Sequence, residues 1–110
     1  MIVMDTPRID TFQGRQILTA HMLSTRSGKA GTDELVAFAE QIGMRREWIQ
    51  YEGTHREHFD LMNGRCGVAM AAGAKITKIG FVLVAKARGI EIGDTTDPDA
   101  LKALIVGVKS

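Results

Sequence analysis

The stretch Thr32-Asp33-Glu34-Leu35-Val36-Ala37-Phe38-Ala39-Glu40-Gln41-Ile42-Gly43-Met44 decides the fold class. Leu35, Phe38, Ala39 and Ile42 recur at helical spacing and make one apolar face. Thr32 has the chemistry of an N-cap, and Asp33 and Glu34 put negative charge on the first turn, where the backbone dipole favours it. Gly43 suits the left-handed residue that closes a helix, with Met44 supplying the closing apolar contact. The spacing predicts a helix over 33–42. On either side lie short β-type runs at 2–5, 17–23, 48–51 and 74–77, bounded by breakers such as Thr6-Pro7 and Phe12-Gln13-Gly14. Three more helices are expected. One covers 64–72, capped by Asn63 or Asp60. Another covers 78–88, with Thr77 before it and Gly89 after it. The last covers 98–106, where Asp97-Pro98-Asp99 places proline at the first helical position. Strands alternating with helices predict an α/β fold, a small single domain with a largely parallel sheet and helices packed on it.

The chain has 110 residues, 45% of them hydrophobic. That suits one domain and excludes two. Fourteen basic residues against thirteen acidic leave a formal charge of +1. This balance argues against broad capture of nucleic acid or an anionic membrane. The single cysteine, Cys66, rules out an internal disulfide and suits a reducing, cytoplasmic compartment. Amid alanine and glycine it reads as a small buried hydrophobe. Met1-Ile2-Val3-Met4 lacks the basic start of a secretion signal, and no apolar run approaches the ~20 residues of a membrane span.

Spread along the first three-quarters of the chain are His21-Met22-Leu23, Glu34-Leu35, Phe38-Ala39, Ile42-Gly43, Trp48-Ile49-Gln50, His58-Phe59-Asp60, Arg65 and Gly73-Ala74. In this order and spacing they resemble the small bacterial and phage proteins grouped as domain of unknown function 4031. The resemblance covers residues 1–77, with 78–110 as a C-terminal helical extension. It departs from the family pattern at Thr25, where an acidic residue is usual, and at Val36, where a histidine is usual. It implies a small cytoplasmic protein, often phage or prophage encoded, and supplies no activity.

In a parallel sheet, ligands gather beyond the carboxyl ends of the strands. That expectation brings Asp5, His21, His58, Asp60 and Arg65 to one pocket, with Trp48 or Gln50 on its wall. Each residue has a plainer use as well. His21 sits among apolar neighbours, as half-buried structural histidines do. Trp48 reads as a core residue or as a stacking platform. Asp60 reads as a ligand group or a helix cap, and Arg65 as an anion clamp or the ion-pair partner of Asp60. His55-x-x-His58-x-Asp60 offers two imidazoles and a carboxylate for a divalent metal, as an alternative to a site with no cofactor. Arg26-Ser27-Gly28-Lys29-Ala30-Gly31 lacks the spacing of a nucleotide-binding P-loop.

These readings lead to a protein that binds a small anionic, nucleotide-like ligand. The alternatives are a hydrolase or transferase using His21, His58 and Asp60, with or without a metal, and a non-catalytic interaction module. The apolar face of the last helix, Leu101, Leu104 and Ile105, is expected to serve packing or a homo-oligomer.

Overall fold

A computed structural model of the protein describes residues 1–107. Residues 108–110, the end of the expected 78–110 extension, lie outside the described residues. The strands are β1 (Ile2–Met4), β2 (Arg8–Phe12), β3 (Arg15–Ser24), β4 (Phe59–Met62) and β5 (Lys75–Ile76). The helices are α1 (Gly28–Gln41), α2 (Gly64–Ala71), α3 (Ile79–Ala87) and α4 (Pro98–Gly107), with a 3-10 turn at Arg46–Trp48. All five strands form one sheet, so the α/β class holds.

The sheet is mostly antiparallel, against the parallel expectation. Only β1 and β5 run parallel. The ten-residue β3 is the spine. Met22 pairs with both Met4 and Phe59, and Thr19 with both Arg8 and Met62. β1 and β2 therefore share one edge of β3, and β4 takes the other. For β2 and β3 the physical reason is connection length. Gln13 and Gly14, at φ 52° and 76°, form a two-residue hairpin turn that can only join antiparallel strands. Parallel pairing needs a long crossover; the segment 25–58 between β3 and β4 is long enough for either direction, and that pair is antiparallel as well.

α1 also starts earlier than 33. Ser27 is its N-cap position, and Thr32 sits inside the helix, its hydroxyl donating to the Glu57 carboxylate at 2.7 Å. Gly31 makes the earlier start possible, because a Cβ there would stand 2.1 Å from the Arg26 carbonyl oxygen. Glu34 then lies beyond the first turn and accepts hydrogen bonds from Ser24 and the Met1 α-amino group. The other end matches expectation. Gly43 has φ 84°, its N–H bonds Glu40, and the Met44 N–H reaches back to Ala39. This double closure is a Schellman motif. Asp97 caps α4 through the Ala100 N–H.

Residues 48–51 are not a strand. Trp48 closes the 3-10 turn, and only Gln50 joins the sheet, through a single bridge to His58. Asp60 lies on β4, so it is no cap. Asn63 holds the cap position of α2, but its side chain accepts from Leu18 N–H instead. Thr77 likewise precedes α3 without capping it and donates to Thr96.

The sheet has a core on each face. One holds Met4, Ala20, Met22, Leu35, Ala39, Phe59, Leu61, Cys66 and Ala69, beneath α1 and α2. The other holds Val3, Leu23, Val82, Ala85, Ile92 and Leu101, beneath α3 and α4. Among the described residues no helix is long and apolar enough to cross a membrane.

Candidate functional site

Alternation along the strands sends Ala20 and Met22 into the first core, so His21 emerges on the opposite face with Leu23. On β4, Phe59 and Leu61 are buried and Asp60 is exposed on that same face. β3 and β4 place His21 directly opposite Asp60. Asp5 follows β1 across the other edge, and its backbone N–H bonds the His21 carbonyl. Cross-strand pairing, not parallel strand ends, therefore assembles the cluster. α3 covers only part of this face, which leaves His21 and Asp60 accessible, with side chains 35% and 45% exposed.

The hydrogen bonds fix the imidazoles. Asp5 accepts from the His21 backbone N–H at 2.6 Å and from its Nδ1 at 2.9 Å. His58 Nδ1 lies 2.8 Å from the Arg56 carbonyl, which can only accept, so Nδ1 carries the proton there too. Both rings thus present Nε2 to the same carboxylate oxygen. Asp60 Oδ1 is 3.3 Å from His58 Nε2 and 3.9 Å from His21 Nε2. The other oxygen of Asp60 accepts from the Gln50 side chain. The rings of His21 and His58 meet edge to face at 5.3 Å, and Tyr51 stacks on His58 at 5.9 Å.

One ligand atom each from His21, His58 and Asp60 lies within 4.8 Å of the others. A tetrahedral metal with bonds of about 2.0–2.1 Å places its ligand atoms roughly 3.3 Å apart, so small side-chain rotations would close this set. His21 takes the place expected of His55. The Gln50 bridge draws His58 onto the sheet, while His55 stays on the preceding turn. There it lines a separate small cleft with Thr32, Glu57 and Lys86.

Arg65 and Trp48 stand to one side. The Arg65 guanidinium donates to the Ile42 carbonyl at 2.9 Å, capping the end of α1, and lies over the Trp48 ring. No Arg65–Asp60 ion pair forms among the described residues. Trp48 is 46% exposed, so it is not core. These two residues, Gln50, Asp60 and Met62 line an open cleft of about 500 Å³. A smaller cleft of about 160 Å³ lies on the α3 side, lined by His21, Leu23, Arg56, His58, Ile79 and Leu83. The cluster is the wall between them. Arg56 and Tyr51 escaped the sequence reading, because nothing in their spacing announces that they flank a histidine.

The class is thus a small mixed-sheet α/β protein with two histidines and two aspartates gathered on a half-covered sheet face. The chain belongs to the family described as Protein of unknown function (DUF4031), matched over residues 2–88, from β1 through the end of α3. No curated protein and no solved structure matches the chain.

Proposed function

We propose that the protein is a metal-assisted hydrolase, with His21 Nε2, His58 Nε2 and the Asp60 carboxylate as ligands to one divalent transition-metal ion. The observation that carries this reading is the shared direction of the two Nε2 atoms, each fixed by a hydrogen bond at the opposite ring nitrogen. Metal-binding histidines are oriented in that way, by a carboxylate or a backbone carbonyl behind them. Three protein ligands with an open side are what a catalytic site needs, whereas structural sites are closed. A cation there would lower the pKa of a water on its open side towards neutrality and make it a nucleophile. Two imidazoles and a carboxylate suit zinc or iron(II) better than magnesium. The test is metal content after loading with zinc, manganese or iron(II) and desalting. A single bound ion per chain, lost in His21→Ala and in His58→Ala but kept in His55→Ala, is expected. Chains that retain no metal would overturn the assignment.

A second reading is stoichiometric capture of a small anionic, nucleotide-like ligand without turnover. It is favoured by the exposed Trp48 ring beside Arg65 in the larger cleft, which is of ligand-binding size. Aromatic faces of this kind stack on bases. Mass spectrometry of small molecules released on denaturing the purified protein tests it, with a bound nucleotide-like compound as the expected finding.

A further inference from the structure

Arg56 is tied to His58 from two directions. Its backbone carbonyl accepts from His58 Nδ1, and its guanidinium lies 4.7 Å over the Tyr51 ring, which itself stacks on His58. That guanidinium has no carboxylate partner among the described residues. Arg56 lines the smaller cleft together with His21 and His58, and the remaining lining residues, Leu23, Ile79 and Leu83, offer no side-chain hydrogen-bond donors.

We infer that this cleft takes a phosphate ester, with Arg56 gripping the phosphoryl oxygens next to the metal ligands. The inference rests on the metal-site reading above and names its substrate. Three arguments lead there. Among the described residues lining the cleft the fixed charge is the Arg56 guanidinium, so the group it receives is an anion. The cleft is about 160 Å³ and Arg56, His21 and His58 share its lining, so the group on Arg56 also lies against the histidines. The anchored anion must then itself be the group that reacts. A carboxylate is a poor electrophile, whereas a phosphate ester is anion and electrophile in one. The apolar walls suit a compact hydrocarbon portion on the alcohol side.

In the reaction the water oxygen forms a new bond to phosphorus and the bond from phosphorus to the alcohol oxygen breaks. The proton lost by the water ends on the departing alcohol oxygen. The products are an alcohol and inorganic phosphate, with no redox partner needed. The charges also set an order of binding. Asp5 and Asp60 outnumber Arg56, so an anion is disfavoured until a divalent cation has bound.

The experiment uses the full chain with and without zinc, titrated calorimetrically with phenyl phosphate and with benzoate, which share the same ring. Phenyl phosphate should bind only the zinc-loaded chain and release phenol. Arg56→Ala should keep its zinc, because the carbonyl behind His58 survives, and lose about 10–100-fold in phenyl phosphate affinity. Arg56→Lys should recover part of that loss. Circular dichroism confirms the fold of each variant. Equal binding of benzoate, or undiminished phenyl phosphate binding by Arg56→Ala, would overturn the phosphoryl assignment and leave the metal site standing. A chain that takes up no zinc would overturn both.

Discussion

The Asp5 carboxylate holds His21 by two hydrogen bonds and lies behind it, on the side away from Asp60. It is a positioning residue. Asp5→Ala should lower zinc affinity by about 10–100-fold, the usual penalty for losing such a partner. Zinc titration against a chromophoric chelator measures this, and the circular dichroism spectrum should not change. A second residue reports on acid stability. Burial pushes the Glu34 carboxyl up, but the Ser24 hydroxyl, the α-amino group and Arg26 together outweigh it and hold it below its ordinary value of 4.5. The unfolded chain therefore takes up this proton more readily than the folded one. The stabilisation is complete above about 4.5 and is lost as the pH falls through the lowered folded value. Urea midpoints measured across that range should fall more steeply for the parent than for Glu34→Gln.

Glycines separate the elements by what surrounds them. Gly31→Ala forces a Cβ against the Arg26 carbonyl and should cost about 1–3 kcal/mol in chemical denaturation. Gly67→Ala, in the exposed middle of α2 with open space around it, should stabilise by about 0.4–1 kcal/mol. Much of this level was legible beforehand. The helices other than α1 fell within a residue or so of expectation, and β1 and β3 pair as Val3 with Leu23 and Met4 with Met22. The start of α1 was obscured because Thr32 and Asp33 imitate a cap that tertiary contacts with Glu57 and Arg26 override. β2 was missed because Arg-Ile-Asp-Thr-Phe is exposed at every position and has no apolar run. The β-branched Ile9 and Thr11 and the Gln13-Gly14 turn were the available signals. Strand direction was not encoded in any local pattern, so the site's residues were named on a mistaken geometry. Asp5, His21, Gln50, His58 and Asp60 nonetheless come together, because side-chain alternation serves an antiparallel sheet equally well.

At the scale of the molecule, α4 is held by Leu101, fully buried between α3 and the sheet, with Ile105 packed beside it. Packing is the use the structure shows for this face, and a homo-oligomer through α4 would rest instead on Leu104 and Val106, exposed at 36% and 58%. Leu101→Ala should cost about 2–5 kcal/mol, read as a lowered denaturation midpoint. The two cores divide the molecule unequally, the one beneath α3 and α4 being the smaller and having the sheet between it and the other. Such a layer can detach as a unit while the rest stays folded. Amide protons of α3 and α4 should therefore exchange with solvent sooner than those of β3 and α1. Ile79 and Leu83 travel with that layer, so each opening briefly removes one wall from beside His21. The rarity of such openings then sets how often anything too large for the closed gap can enter.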